Sequence, residues 1–234
     1  MKTKNNISKI ATDMSWLQLT WSAWFLSIVF VLYIALRMIG GDTTITHKSF
    51  LTFSYQPAKI YMLVIGIISV SGFLTFYVKQ GVSRKDYFFG GSISAIIVSL
   101  MIMIIAGIVA LVENFFVPAI ETGSFLGPEA SWVLIIAVYS LNILVYYVAG
   151  WLIGAGFYRF GAAGILYIIQ AIILVVISDI FWQFELKNPL KKLITIHSQW
   201  EFSFSLSVIG TFVLLSIALW IIRSTTKRVR IKLK

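Results

Sequence analysis

Six long apolar stretches divide the chain, and each is close to the length of a membrane-spanning helix. A helix needs about 20 apolar residues to cross about 30 Å of hydrocarbon. The pattern therefore predicts an all-α polytopic membrane protein with six transmembrane helices. The stretches lie at 21–39, 60–78, 92–112, 132–154, 162–181 and 205–222.

The basic residues concentrate in alternate connections between these stretches. Thirteen of the 19 Lys and Arg residues lie in the N-terminal tail, in 79–91, in 155–161 and in the C-terminal tail, where the acids are Asp13 and Asp86. Lys and Arg in short loops stay on the cytoplasmic side. The charge pattern predicts a multi-pass protein of the bacterial cytoplasmic membrane with both termini inside.

Composition narrows the class of protein further. A chain that is 59% hydrophobic and 12% charged is not an ordinary soluble domain. The basic residues that give the chain its net charge of +10 lie beside the spans. This position indicates membrane lipid rather than nucleic acid as the partner surface. The absence of cysteine excludes disulfides and thiolate metal sites. His47 and His197 stand alone in predicted outer loops, so no metal site is expected.

Two segments outside the spans have an amphipathic pattern. Residues 7–20 carry apolar side chains at helical spacing, which predicts an N-terminal interfacial helix; the alternative is that this segment simply continues the first span. Residues 182–204 mix aromatic and basic residues and are predicted to form a membrane-dipping outer hairpin, broken at Asn188 and Pro189.

Local signals predict three further features. Gly81 is suited to the left-handed conformation that ends a helix, and Ser83 with Asp86 has the form of a capping box; we therefore expect a compact helix–turn–helix at 79–91. An outer loop is predicted at 40–59. Gly150 and Gly154 form a small-xxx-small pair that favours close helix packing.

The sequence contains few residues that could form a catalytic site. The predicted spans contain no acidic residue near their centres, since Glu113, Glu129 and Asp179 lie at predicted outer ends. Charged residues inside spans usually mark ion or proton relays, so this pattern argues against a proton-coupled carrier. The chain is expected to be no enzyme and to bind no cofactor of its own. The protein is therefore expected either to act passively or to depend on a partner protein for its energy source.

The order of these elements resembles that of the ABC-2 type (type V) permeases of ATP-binding-cassette exporters. The segment 78–90 is similar to the family's G-x-S-R-x-x-x-F element, which leads into the third span. The resemblance implies that 1–234 is a single transmembrane permease domain and that 79–91 is a cytoplasmic coupling helix that docks on an ATP-binding-cassette ATPase subunit. The alternative for 79–91 is plain topology anchoring and helix capping. The implied coupling contacts are Gly81, Ser83, Arg84, Lys85, Asp86, Tyr87 and Phe88.

The resemblance also implies partners and a translocation path. ATP and Mg would bind at the partner subunit, and a second permease chain, identical or different, would complete a dimer. The second and fifth spans would line the path, which makes Tyr61, Ser69, Ser71, Thr75, Gln170 and Ser178 candidate wall residues. The apolar character suggests a hydrophobic or amphipathic substrate such as a peptide, for export or immunity. A passive channel or non-transporting assembly factor remains the alternative, ahead of an intramembrane enzyme.

Overall fold

The computed structural model describes residues 2–39, 48–116, 131–182 and 203–227, and the regular elements in these ranges are helices. The predicted all-α class is therefore confirmed. The elements in chain order are α1 (Lys2–Ile39), α2 (Phe50–Ile68), a π-helical segment (Ser69–Leu74), α3 (Thr75–Lys79), α4 (Arg84–Phe116), α5 (Trp132–Phe160), a 3-10 turn (Gly161–Gly164), α6 (Ile165–Phe181) and α7 (Phe204–Thr226).

Five helical stretches in the described residues are long and apolar enough to cross a membrane, which supports a multi-pass membrane protein. The fourth of them, Trp132–Phe181, contains both α5 and α6. These two helices fold back on each other at Gly161, which has a φ of +59°. The Tyr146 hydroxyl donates to Asp179 Oδ2 at 3.2 Å, so α5 and α6 run antiparallel. The stretches are 34, 30, 33, 50 and 23 residues long.

Hydrogen bonds between helix termini define the two ends of the bundle. At the end that we call basal, Arg84 Nη1 donates to the Lys227 carbonyl at 3.2 Å and Arg159 Nη1 donates to the Thr225 carbonyl at 2.8 Å. The start of α4 and the ends of α5 and α7 therefore meet there. At the opposite, distal end, Glu113 of α4 forms an ion pair with Arg37 of α1.

The tightest helix contact joins α2 to α5 through glycines. A Cβ built on Gly154 would lie 2.6 Å from the Ile67 carbonyl oxygen, and one on Gly150 would collide with the Leu63 carbonyl. The predicted close packing at Gly150 and Gly154 is confirmed. Gly66 is its unpredicted counterpart on α2, because a Cβ there would collide with the Tyr147 carbonyl.

Residues 7–20 do not form the separate helix that the sequence predicted, and their interfacial position stays a prediction. Those residues are part of α1, a single helix of 38 residues. Ile10 lies against Gly90 of α4 and Met14 lies near Gly91. Because glycine has no side chain, α1 approaches α4 closely at these two positions. The alternative given above, that residues 7–20 continue the first span, agrees with the single helix.

Two other boundaries also need correction. The predicted outer loop at 40–59 ends ten residues early, because α2 begins at Phe50 and contains Pro57; Ser49 caps it by accepting a hydrogen bond from Thr52 N at 3.5 Å. The predicted coupling helix at 79–91 is not a separate helix, since its second half belongs to α4. Most of the predicted outer hairpin at 182–204, namely 183–202, lies outside the described residues.

Candidate functional site

The connection between α3 and α4, residues 79–85, forms a tight turn that we call the basal turn. Gly81 has a φ of +83°. Val82 N donates to the Tyr77 carbonyl at 3.1 Å and Gly81 N donates to the Val78 carbonyl at 3.0 Å, which is the Schellman arrangement that ends a helix. The positive φ of Gly81 and the two hydrogen bonds of Gly81 N and Val82 N confirm the predicted left-handed role of Gly81.

The start of α4 is fixed by a side-chain cap. Ser83 Oγ accepts a hydrogen bond from Asp86 N at 3.0 Å. This bond satisfies one of the free backbone donors of the first turn, and it confirms Ser83 as the N-cap. Because both sides of the basal turn are fixed by local bonds, it is a rigid projection of the basal end.

Burial divides the seven predicted coupling residues into two groups. Gly81, Ser83 and Lys85 are exposed and Arg84 is partly exposed. The other three, Asp86, Tyr87 and Phe88, are buried with exposed fractions of 5%, 1% and 8%. A partner that docks on this structure can therefore touch the first group but not the second.

Arginines dominate the electrostatics of the basal end. Arg84 and Arg159 donate to carbonyls in the last turn of α7, where cations are favoured by the helix dipole. Arg223 Nη1 donates to the Arg84 carbonyl at 3.2 Å. In the described part of the chain, none of the three has a carboxylate within ion-pair distance, so their charges are not compensated there.

A polar network lies inside the bundle, directly above the basal turn. Tyr147 of α5 shares a hydrogen bond with Ser69 Oγ at 2.6 Å and accepts one from Gln18 Nε2 at 3.1 Å. Tyr87 of α4 donates to the Ser69 carbonyl. All four residues are buried. The network therefore joins α1, α4 and α5 to the first residue of the π-helical segment, a type of insertion that often occurs at functional sites.

The structure does not gather the six predicted path residues into one wall. Tyr61 shares a hydrogen bond with Ser22 of α1 at 2.9 Å, and Thr75 shares one with Tyr158 of α5 at 3.1 Å. Ser69 belongs to the buried network described above. The remaining three differ among themselves: Ser71 and Gln170 are exposed, whereas Ser178 is buried.

Lys59 is a charged residue inside the bundle that sequence reasoning assigned to an outer loop. It is 2% exposed, with its Nζ 4.6 Å from the ring centre of Tyr55 and 5.3 Å from that of Tyr146. These distances allow cation–π attraction. Since Tyr146 also donates to Asp179, the cluster connects α2, α5 and α6.

Two signals in the sequence could have located Lys59. Ser49 and Thr52 have the spacing of a helix start, and Tyr55 precedes Lys59 by four residues, which places both on one helix face. Pro57 and the charge together favoured a loop. The rings of Tyr55 and Tyr146 contribute cation–π attraction to this charge inside the bundle.

A second charge cluster, which is partly buried, lies at the distal end. Glu113 accepts hydrogen bonds from the Tyr33 hydroxyl, from Arg37 and from the Phe50 backbone N–H, the last at 3.0 Å. Its side chain is 12% exposed. A carboxylate at the first residue of α2 also interacts favourably with the helix dipole. Glu113 therefore holds together the end of α1, the start of α2 and the end of α4.

In comparisons with known proteins, no protein-family model, no curated protein and no solved structure matches the chain significantly.

Proposed function

We propose that this chain is the transmembrane permease subunit of an ATP-binding-cassette exporter in the bacterial cytoplasmic membrane. In this proposal the chain crosses the membrane six times, with α5 and α6 as separate crossings, and its basal end faces the cytoplasm. The fold-back of α5 and α6 at Gly161 supports six crossings. The uncompensated arginines at the basal end support the orientation, because basic residues favour the cytoplasmic side.

The observation that carries the proposal is the rigid, exposed and basic basal turn. Gly81 and Ser83 fix its backbone, and Lys79 and Lys85 are exposed on either side. A partner with an acidic groove would find a preformed surface there, and preformed surfaces lose little entropy on binding. An ATP-binding-cassette subunit, which would hold ATP and Mg, is the proposed partner.

The buried network offers a route by which force at the basal turn could reach the bundle centre. Tyr87 lies one turn beyond Ser83 and is bonded to Ser69, which is bonded to Tyr147. A displacement of the first turn of α4 would therefore act on the π-helical segment and on α5. Segments with two discrete packings are the usual carriers of such coupling.

The proposed path lies along α2 and α6, and the Lys59 cluster extends the set of candidate residues for it. An ionisable residue inside a membrane-spanning bundle is costly to bury, so function is its usual explanation. Because Lys59 is 2% exposed, its cluster with Tyr146 and Asp179 would lie behind the wall of the path and support that wall, while the substrate itself would be hydrophobic or amphipathic, such as a peptide. Ser71 and Gln170 are exposed in the single chain and would face a second permease chain in a dimer.

A charge reversal at Lys85 tests the proposed coupling. Lys85→Glu should weaken binding of the ATP-binding-cassette subunit at least about tenfold, or about 1.4 kcal/mol, and should reduce the ATPase activity that the permease stimulates. Lys85 is exposed, so the fold should be unaffected. Arg84 is unsuitable for this test because it caps α7.

Lys9→Glu is the matched control, since Lys9 is also exposed on α1 and carries the same charge. It should leave binding within about twofold of wild type. Both variants are reconstituted with the ATPase subunit in nanodiscs, and affinity and ATPase rate are measured. Equal effects of the two substitutions, or a wild-type chain that stimulates no ATPase subunit, would contradict the proposal.

A further inference from the structure

A cleft runs along the bundle between α4 and α7, with α5 as its floor. It consists of two adjoining cavities of about 410 Å³ and about 140 Å³. The residues that line both cavities are Ile96, Leu144 and Phe212. Apolar side chains dominate the lining, so the cleft suits a hydrocarbon chain rather than a polar solute.

The cleft is long enough to hold a lipid chain that enters from the basal side. Along α7 its lining extends from Phe204 to Leu219, which is about 22 Å at 1.5 Å per residue. One lipid chain covers half of a hydrocarbon core of about 30 Å. Leu219 lies one helical turn before Arg223, so the basal end of the cleft opens beside that arginine.

Two arginines lie beyond the basal end of the cleft, and their charges are not compensated by described carboxylates. Arg223 donates to the Arg84 carbonyl at 3.2 Å, and its guanidinium lies 5.7 Å from the ring centre of Phe88. Arg84 donates to the Lys227 carbonyl. These partners are neutral, and each guanidinium has further N–H donors. An anionic group at this position would meet two positive charges at the edge of an apolar cleft.

Two buried polar groups in the cleft lining have no hydrogen-bond partner among the described residues. They are Trp151 Nε1 in the smaller cavity and Ser140 Oγ in the larger one. Both residues are buried, with exposed fractions of 0% and 2%. Both atoms are covered by protein, so neither is open to a ligand in the cleft as it stands, and Ser140 lies about 16 Å from Trp151 along α5. The proposal below therefore rests on the shape of the cleft and on the arginines.

We propose that this cleft is a binding site for one anionic phospholipid. The phosphate lies at Arg223 and Arg84, and one acyl chain occupies the cleft between α4 and α7. Basic pockets between membrane helices on the cytoplasmic side are suited to anionic headgroups. The bound lipid would connect α4, which carries the basal turn, with α7. Arg84 of α4 already bonds to the end of α7 through the Lys227 carbonyl. This inference does not depend on an ATPase partner.

Native mass spectrometry of the full-length chain in mild detergent tests the headgroup contact. Phosphatidylglycerol should remain bound at one site about 25-fold more tightly than phosphatidylcholine, which corresponds to two arginine contacts of about fivefold each. Arg223→Gln should weaken the phosphatidylglycerol complex about fivefold. Arg159→Gln is the matched control: Arg159 caps the same turn of α7 but lies beside Phe160, and its removal should change binding less than twofold.

A second pair of variants tests the acyl-chain contact. Ile96 and Ile97 are adjacent, exposed isoleucines of α4, and only Ile96 lines the cleft. Ile96→Trp should fill the cleft and displace phosphatidylglycerol, whereas Ile97→Trp should not. Because both side chains are exposed, neither variant should perturb folding, and a circular dichroism melt verifies this.

Five outcomes would overturn the proposal. Equal losses in Arg223→Gln and Arg159→Gln would indicate general surface charge. Equal retention of phosphatidylglycerol and phosphatidylcholine would indicate annular lipid only. Displacement of the lipid by millimolar inorganic phosphate would indicate a simple anion site. Unchanged phosphatidylglycerol binding in Ile96→Trp would place the acyl chain elsewhere. A mass spectrum that shows a dimer of the chain without bound lipid would assign the cleft to a second copy of the chain.

Discussion

Gly154 is the position where the structure makes its sharpest prediction about stability. A Cβ at this residue would lie 2.6 Å from the Ile67 carbonyl oxygen and 3.3 Å from Ile67 Cα. Ordinary van der Waals contact begins at 3.4 Å. The clashing atoms belong to the backbone of α2 and cannot rotate away, so Gly154→Ala must push α2 and α5 apart.

The expected magnitude follows from two opposing contributions. Overpacking of a close contact costs about 1–3 kcal/mol, whereas alanine in place of glycine favours a helix by about 1 kcal/mol. We therefore expect Gly154→Ala to lower the free energy of unfolding by up to about 2 kcal/mol relative to wild type, and by about 1–3 kcal/mol relative to a glycine-to-alanine change without the clash. Gly72→Ala is the matched control, because Gly72 is exposed and the nearest atom to its built Cβ is in the Ile68 side chain at 3.6 Å.

Steric-trapping measurements of unfolding in lipid bicelles provide the assay. The free energy of unfolding of Gly72→Ala should equal that of the wild type or exceed it by up to about 1 kcal/mol. If Gly154→Ala is as stable as Gly72→Ala, the backbone contact between α2 and α5 is absent in the membrane, and the packing described above is incorrect.

Other local contacts lead to measurable effects. Ser83→Ala should speed hydrogen exchange of the Asp86 amide about fivefold, because a lost N-cap bond costs about 1 kcal/mol; Ser83→Asp should restore protection, and no change in Ser83→Ala would argue against the cap. Glu113→Gln should lower the free energy of unfolding by about 1–3 kcal/mol, since it leaves a partly buried arginine without its anion; an unchanged value would remove the distal ion pair from the account. A water-soluble amine-reactive ester should modify Lys85 rapidly and Lys59 only after unfolding, as mass spectrometry can follow; rapid modification of Lys59 in the native protein would refute its burial.

Local signals in the sequence predicted local structure well. The glycine at 81 and the serine at 83 specified the basal turn because each acts through bonds within five residues. Gly150 and Gly154 indicated a close contact, because four-residue spacing places two glycines on one helix face. Their partner, Gly66, could not be identified, since a single sequence does not say which helix packs against which.

Predictions that depended on tertiary contacts were less successful. Lys59 was assigned to a loop that was expected to close at Pro57, but it lies inside the bundle beside the rings of Tyr55 and Tyr146. Tyr87 and Phe88 were expected at a docking surface, yet the face of α4 that carries them packs inward. In both cases the neighbours that decide burial are distant in sequence, so periodicity alone could not locate them.

The central claim is that the basal turn receives force from a cytoplasmic ATPase, and a cross-link from this turn tests it most directly. The chain contains no cysteine, so Lys85→Cys provides a unique attachment point for a short thiol-to-amine cross-linker in membrane vesicles. The account predicts a cross-link to an ATP-binding-cassette subunit, identified by mass spectrometry, and none from Phe204→Cys at the distal end. A cross-link from Lys85→Cys only to proteins outside the cytoplasm would contradict it.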